Sequence, residues 1–322
     1  MSHSSTKKSP LPVLCITGAL TVLACVLFMT LGAKGSWSFL LPFRGTKLMS
    51  LLLVAYATAI STVLFQTITN NRILTPAIMG FDSLFVLLQT ALVFALGAAG
   101  VAALDARLLF IVQAASMILF STVLFRWLFS GGVRSLHLLL LVGILLGGLF
   151  RSLAAFLQRV IDPNEFLVLQ DMLFASFNAV DSSLLLVSAL SIGAASLAVV
   201  GNLARFDVMA LGREVAINLG VDHRRMVTMT MAVVAVLVSV STALVGPVTF
   251  FGLLVANLAY LLTPSNRHRH VLPAAFFLAA IVLVSGQMIL ERLFDFSTAL
   301  SIIIEFCGGL VFILLMILGG RR

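Results

Sequence analysis

Arg151 and Glu305 are charged residues inside long apolar stretches of this 322-residue sequence. A charge near the centre of a bilayer costs about 2.5–3.5 kcal/mol on insertion scales, so such side chains face protein or water rather than lipid. The two side chains are therefore predicted to face protein or water inside the molecule. They could form an ion pair there, and Arg151 could attract an anionic solute. A structural ion pair without a role in transport is the alternative.

The sequence lacks the patterns that would support enzymatic chemistry within the chain. No Gly is followed by Lys-Ser or Lys-Thr, so there is no phosphate-binding loop of that kind. No nucleophile motif occurs, and the five histidines do not have the spacing of metal ligands. The sequence therefore predicts a chain that is not an enzyme and binds no metal or cofactor directly. If ATP powers it, ATP and Mg²⁺ are used by a separate ATPase.

The segment 205–225 combines apolar, charged and glycine residues outside the long apolar stretches. Asp207 could cap a short helix by accepting the free N–H groups of its first turn. Gly212 would break that helix, and a second helix would stop at Gly220. Two short amphipathic helices at a cytoplasmic face can dock into a groove of a partner protein. A connector lying on the surface is the alternative.

The composition identifies the elements that must position these residues. Hydrophobic residues make up 61% of the chain and charged residues 10%, whereas a soluble domain has about 25% charged residues. The apolar side chains must therefore face membrane lipid. We predict an all-α, polytopic membrane protein that forms one domain over residues 1–322, with a polar tail at 1–9. About ten spans of suitable length can be drawn, at residues 11–31, 48–68, 78–98, 108–128, 136–157, 184–203, 226–245, 250–262, 271–290 and 298–318.

The basic residues predict the orientation of these spans. The net charge is +8, and with a cytoplasmic N-terminus thirteen Lys and Arg fall in cytoplasmic segments, against seven elsewhere. Cytoplasmic loops are enriched in Lys and Arg, so we predict that both termini are cytoplasmic in a bacterial inner membrane. Because topology accounts for the positive charge, the sequence does not predict nucleic-acid binding.

Three motifs resemble those of a known transport family. They are Ala210-Leu211-Gly212 to Leu219-Gly220-Val221, Gly246-Pro247 to Val255, and Asn71 to Gly80. They resemble motifs of the FecCD and BtuC-like family, the permease subunits of bacterial ATP-binding-cassette (ABC) importers for iron chelates and vitamin B12. In that family the three motifs are, in the same order, the coupling segment, the GPIxFVGLxxPH stretch and the loop after the second span. The resemblance extends from about Lys47 to Gly320.

Two positions depart from that family's pattern. Its Pro-His after the apolar run is Ala256-Asn257 here, and its Asn-Pro before the third span is Asn71-Arg72. Both departures resemble a branch that carries ferric siderophores. The resemblance therefore implies a permease for a ferric siderophore, with vitamin B12 or haem as alternative substrates.

The resemblance also implies partners and site residues. A second permease chain, identical or a sister, would complete the pathway, which the fifth and tenth spans line and which Arg151 and Glu305 would face. An extracytoplasmic siderophore-binding protein would dock on Arg44, Lys47 and Arg292, for which interfacial snorkelling is the alternative. A cytoplasmic ABC ATPase would dock on residues 205–225, where the coupling residues would be Asp207, Leu211, Gly212, Glu214, Ala216, Leu219 and Gly220.

Two functions of other classes remain for comparison. A self-sufficient secondary transporter would need coupling carboxylates or broken helices at mid-membrane, and Glu305 is the only acid that we place deep in a span. An intramembrane enzyme would need a paired Asp, a Ser–His pair or an HExxH motif, and the sequence has none of these at depth.

Overall fold

The computed structural model describes residues 9–32, 36–130, 136–178, 180–294 and 299–319, which form α-helices and one short 3₁₀ helix, Pro76–Met79. The α-helices are α1 (Leu11–Thr30), α2 (Trp37–Thr69), α3 (Phe81–Ala102), α4 (Ala106–Ser130), α5 (Leu136–Gln158), α6 (Pro163–Leu173), α7 (Ser182–Val200), α8 (Leu203–Met209), α9 (Arg213–Asn218), α10 (His223–Val245), α11 (Phe251–Leu262), α12 (His268–Leu293) and α13 (Leu300–Gly319).

The apolar helices confirm the predicted class of fold. In the described part of the chain, eight helices are long and apolar enough to cross a membrane: α1, α2, α3, α4, α5, α7, α10 and α12. Two shorter apolar helical segments, Phe251–Leu262 and Leu300–Leu310, correspond to the eighth and tenth predicted spans. Helices satisfy all their interior backbone hydrogen bonds within one segment, which lipid requires. The chain is a multi-pass, all-α membrane protein.

Three helices form the centre of the bundle. α2 packs against both α10 and α12, and about 70% of the most apolar stretch of α2 and α10 is buried. Only about a fifth of the corresponding stretch is buried in α1, α5 and α7. The central helices can approach closely because small residues such as Ala55, Ala235 and Ala279 are fully buried in them. α1, α5 and α7 therefore lie at the periphery, where their side chains can face lipid or another chain.

Two irregular segments interrupt this bundle. The first, residues 70–80, follows α2 and contains the 3₁₀ helix, and Gly80 ends that helix with φ +90°. It packs on a Gly-xxx-Gly face of α5, where a Cβ on Gly147 would lie 3.1 Å from the Cα of Gly80, and one on Gly143 would lie 2.9 Å from the Cα of Met79. The glycines of α5 thus permit a close approach that larger residues would prevent.

The second irregular segment, residues 246–250, separates α10 from α11. Gly246 has φ +99°, and a Cβ at this position would lie only 3.1–3.3 Å from backbone atoms of Ala175 and Phe174. The 12 residues of α11 rise about 18 Å, less than the hydrocarbon thickness of about 30 Å. The chain is therefore broken at Gly246-Pro247, and α11 begins inside the bundle.

The connecting loops gather at two ends. One end, called the α8–α9 end, contains a cleft. The cleft is bordered by residues 9–10, the end of α2, α8 and the loop 264–270. The opposite end is called the Lys47 end. It is formed by the end of α1, the start of α2 and the end of α12. This grouping agrees with the alternation of the predicted spans. One helix, α6, was not predicted, although Asp162 caps it by accepting the N–H of Asn164 at 2.8 Å.

Candidate functional site

The α8–α9 segment buries one face and exposes the other. Phe206, Met209 and Ala216 are at most 2% exposed and anchor the two helices on the bundle. Ala216 can therefore contribute to coupling only by packing, which the sequence did not reveal. Four apolar side chains on the outer side, together called the apolar patch, are 43–60% exposed. They are Leu211, Val215, Ile217 and Leu219.

Two glycines shape the apolar patch. Gly212 separates α8 from α9 with φ +102° and ψ 162°, and Gly220 follows α9 with φ +80°. The N–H of Gly220 donates to Ile217 O and the N–H of Val221 donates to Ala216 O, both at 3.0 Å. These paired bonds are the Schellman arrangement that ends helices at a left-handed residue. The predicted helix break and helix stop are both present, and Glu214, in the first turn of α9, is exposed.

Asp207 does not cap a helix of its own segment, so that prediction is wrong. It lies inside α8, whose N-cap is Asn202. Its Oδ1 accepts the main-chain N–H of His268 at 2.7 Å and lies 2.7 Å from His268 Nδ1. His268 Nε2 in turn lies 2.7 Å from Thr67 Oγ1. The carboxylate therefore caps α12 and connects α8 to the ends of α12 and α2.

A cleft of about 650 Å³ lies beside this connection. Arg72, Arg267 and Arg269 line it, and the Arg72 guanidinium lies 4.3 Å from the centre of the Tyr260 ring. Asn257 Nδ2 donates to the main-chain O of Arg72 at 3.3 Å. The two positions that depart from the family pattern, 72 and 257, are thus in direct contact. The cleft gives the apolar patch a basic border.

At the Lys47 end, Arg44 is bonded to the end of α1. Its Nη1 donates to Phe28 O, Met29 O and Leu31 O at 2.8–3.2 Å, and its Nη2 donates to Gly32 O at 3.3 Å. The last carbonyls of a helix have no partner within the helix, and a cation there also interacts favourably with the helix dipole. Arg44 is therefore a cap for α1, which is a different arrangement from snorkelling into solvent.

Arg292 and Lys47 also have partners within the chain. Arg292 Nη2 donates to Leu31 O, close to the Arg44 bonds. Lys47 Nζ lies 3.1 Å from Glu291 Oε1, and the two side chains are only 9% and 20% exposed. Gln287 Nε2 donates to the same carboxylate at 2.9 Å and to Asn178 Oδ1 at 3.0 Å. The three predicted docking cations therefore form one cluster, which the sequence could not show.

Arg151 and Glu305 are brought near each other without forming an ion pair. In the described residues, ion pairs within 4.0 Å join Lys47 to Glu291 and His268 to Asp207. Arg151 Nη2 instead donates to Ser83 Oγ at 3.3 Å. Arg151 is exposed on α5 and Glu305 is half-buried on α13, so both could face a pathway. The predicted contact between them is wrong for this chain on its own.

Asp82 is a half-buried acid, with a buried Oδ2 atom, that the sequence analysis missed. It lies in the first turn of α3, beside Thr249 in one cavity and within electrostatic range of both Arg151 and Glu305. The prediction that Glu305 is the only deep acid is therefore wrong. Asp82 lies close to the beginning of the third predicted span, a position that suggests an exposed end. The Gly80 turn before it was the available signal, because such a turn can bring a helix start into the bundle.

Comparison with known proteins places the chain among permeases. The FecCD transport family matches residues 11–318. The petrobactin import system permease protein YclO of Bacillus subtilis is 47% identical over 88% of this chain and 90% of its own length. The petrobactin import system permease protein FatC of Bacillus anthracis is 35% identical over 85% and 77%. A solved inward-facing structure of a metal-chelate type ABC transporter shares the fold, with a TM-score of 0.81 and 23% identity over 96% of this chain and 99% of that one.

Proposed function

The chain belongs to the FecCD transport family, and we propose that it is the membrane-spanning permease of an ABC importer that carries a ferric siderophore. The observation that carries the substrate class is the 47% identity to a petrobactin import permease over 88% of the chain. The 35% identical relative is also named for petrobactin import. Ferric petrobactin is therefore the first substrate to test. This chain is the permease, and ATP hydrolysis belongs to a separate subunit.

We further propose that a cytoplasmic ABC ATPase docks on the apolar patch. Leu211 and Leu219 are each 60% exposed at an end of the bundle with no described helix covering them, and burying such a side chain contributes about 1.5–3 kcal/mol. Arg72, Arg267 and Arg269 border the patch. The partner surface that fits is an apolar groove with an acidic rim. Asp207, Gly212, Ala216 and Gly220 would hold the patch in place, and Glu214 would lie at its edge.

At the Lys47 end we propose docking of an extracytoplasmic binding protein. Arg44, Lys47 and Arg292 form a cluster with one carboxylate, Glu291, so the cluster has a net positive charge. A positive surface attracts acidic groups of a partner and raises the association rate. The intramolecular bonds of these cations support the proposal in a specific form: acids of the binding protein would add to an existing cluster.

The pathway would run beside α5 and α13, where Arg151 and Glu305 lie. We propose that a second permease chain, identical or a sister, completes it against the exposed face of α5. The α8–α9 end would be cytoplasmic, as would both termini of a single permease domain spanning residues 1–322. The membrane would be the bacterial cytoplasmic membrane. The predominance of Lys and Arg in the loops of that end supports this orientation.

Uptake of radiolabelled iron by a deletion strain tests the substrate assignment. The strain, its parent and the strain complemented in trans would be offered ferric petrobactin, a ferric hydroxamate, ferric citrate and haem under iron starvation, with labelled vitamin B12 in parallel. We expect the deletion to abolish uptake of ferric petrobactin and complementation to restore it. Complementation separates the loss of this chain from an effect on neighbouring genes.

Other patterns of uptake would contradict the proposal. Normal uptake of every iron source by the deletion strain would refute the iron-chelate function. Loss of vitamin B12 uptake alone would transfer the function to the vitamin. Loss of ferric hydroxamate uptake with normal ferric petrobactin uptake would retain a siderophore permease and refute petrobactin as its substrate.

A further inference from the structure

A small polar cavity lies between the two irregular segments of the bundle. Its volume is about 40 Å³, which is enough for a few water-sized groups. It is lined by α2, α10, the segment 75–82 and the segment 246–252. The oxygen-bearing side chains on which the argument depends are Ser61, Thr75, Asp82, Ser241, Thr242 and Thr249. Thr58 also lines the cavity and is about midway between Lys47 and Asn70, at opposite ends of the bundle, so the cavity is far from both surfaces.

Asp82 contributes a carboxylate to this cavity. Among the residues that the structure describes, none hydrogen-bonds its Oδ2, although that atom is buried. The Thr249 side chain lines the cavity beside the carboxylate, and the Arg151 guanidinium donates to Ser83 Oγ at 3.3 Å. Arg151 lies within electrostatic range of Asp82, but so does the acid Glu305, so the group has one excess negative charge, which is unfavourable in a low-dielectric interior. The open Oδ2 can therefore accept a hydrogen bond from water, or bind a proton or a cation.

The hydroxyl groups around Asp82 favour a cation. Ser61 Oγ donates its hydrogen to Thr58 O at 3.1 Å, and Ser241 Oγ donates to Val238 O at 3.0 Å. Since each hydroxyl has one hydrogen and two lone pairs, these groups offer lone pairs to the cavity. Together with the carboxylate, they form a set of oxygen acceptors. Oxygen ligands of this kind suit hard cations.

The charge of the cavity favours a monovalent cation over a divalent one. One carboxylate is balanced by one positive charge, whereas a divalent ion would leave an excess charge in the low-dielectric interior. Interrupted helices supply cation sites in membrane proteins because their unwound backbone adds carbonyl oxygens, and Gly246 and Thr75 come from two such interruptions. We propose that this cavity is a sodium site that joins the segment 75–82 to the segment 246–252.

Thermal unfolding of the purified full-length chain in detergent tests the site independently of transport. Sodium chloride would be titrated against choline chloride at constant ionic strength, with potassium chloride in parallel. A ligand that binds only the folded state raises the Tm. We expect sodium to raise the Tm by several degrees, potassium to raise it less, and Asp82→Asn to lose the sodium-dependent rise.

A matched pair of substitutions on α10 keeps the test decisive if Asp82→Asn does not fold. Thr242→Val removes a hydroxyl that lines the cavity, while Thr230→Val removes a buried hydroxyl of the same helix outside it. We expect sodium to bind Thr242→Val about tenfold more weakly and Thr230→Val as it binds the parent. Equal Tm values in sodium and choline, an equal rise with potassium, or an undiminished sodium effect in Asp82→Asn or Thr242→Val would each overturn the proposal.

Discussion

At the α8–α9 end of the bundle, Leu211 and Leu219 expose most of their surface, whereas at the Lys47 end the cations predicted to dock a partner are bonded to the chain itself. Arg44 donates to four main-chain carbonyls and Lys47 pairs with Glu291. Exposed apolar groups gain free energy only when a partner covers them. Cations that cap a helix stabilise the fold with or without a partner.

This difference predicts two kinds of association. Burying the apolar patch would give a stable complex that depends weakly on salt, which suits a permanent subunit. Association at the Lys47 end would be fast and sensitive to ionic strength, because it depends on charge rather than apolar area. The two ends are therefore expected to respond differently to the same type of substitution.

The largest effect is expected from charges placed in the apolar patch. The double variant Leu211→Asp with Leu219→Asp would leave two carboxylates to be desolvated in the partner's groove, and central interface residues often contribute 2 kcal/mol or more. We expect the amount of ATPase that co-purifies with the permease to fall by at least about tenfold, with a parallel loss of iron uptake. Membrane levels of the variant should equal those of the parent.

Val160→Asp is the matched control for this experiment. Val160 is 59% exposed and lies in the turn after α5, at the opposite end from the patch. We expect its ATPase complex to resemble that of the parent. If the double variant retains the ATPase, or if Val160→Asp loses it equally, the assignment of the patch fails.

Lys47 tests whether one residue serves both stability and docking. Lys47→Met would leave the Glu291 carboxylate largely buried with only Gln287 as a neutral partner, so we expect a loss of about 2–3 kcal/mol in the free energy of unfolding. Adding Glu291→Gln should restore most of that stability by removing the unpaired charge. Unfolding in detergent for the two single variants and the double variant gives the coupling energy.

Affinity for the binding protein separates the two roles in the same variants. If Lys47 also docks the partner, the Lys47→Met, Glu291→Gln double variant will regain stability while its association rate remains low. Recovery of both would show that Lys47 has only a structural role. An unchanged stability in Lys47→Met would contradict the ion pair.

Arg44 is expected to have a smaller effect that is confined to α1. Arg44→Leu would leave the carbonyls at the end of α1 without the guanidinium that binds them, and we expect a loss of about 2 kcal/mol, since bonds from charged groups contribute about 1.5–3 kcal/mol. Hydrogen exchange should increase in the last turn of α1. Arg159→Leu, an exposed arginine of the same end, should change neither. Equal effects in the two variants would refute the capping role.

The spans were predictable from the sequence because lipid imposes a simple rule. Long apolar stretches must form helices there, and all ten predicted spans correspond to apolar helices or helical segments. α6 was missed because its 11 residues are too few to span and too mixed to be apolar. The Asp162-Pro163 pair at its start is nevertheless a helix signal. The second span was predicted to begin at residue 48, whereas α2 begins at Trp37 and includes Pro42.

The site residues were less predictable because their contacts join distant parts of the chain. Asp207 was expected to act locally, yet its partner His268 is 61 residues away. Lys47 and Glu291 are 244 residues apart, and no spacing in the sequence reveals such a pair. Arg72 and Asn257 were noticed separately as departures from a pattern, and their contact explains why they could change together. Local backbone features, such as Gly212 and Gly220, were predicted correctly because they depend on their neighbours alone.

The two glycines of the α8–α9 end provide the finest test of how the apolar patch is held. Gly220 has φ +80° in a left-handed helix cap that Asn can also adopt, so Gly220→Ala should cost about 1 kcal/mol and Gly220→Asn less. Gly212, with φ +102° and ψ 162°, occupies a region that is essentially restricted to glycine. Gly212→Asn should therefore be about as harmful as Gly212→Ala.

Unfolding in detergent compares the four variants, and co-purification of the ATPase shows whether the patch has moved. Rescue by Asn at 220 but not at 212 would show that backbone conformation, rather than side-chain contact, orients the patch, because a Cβ at Gly220 would contact no described residue. Equal rescue at both positions would contradict this explanation.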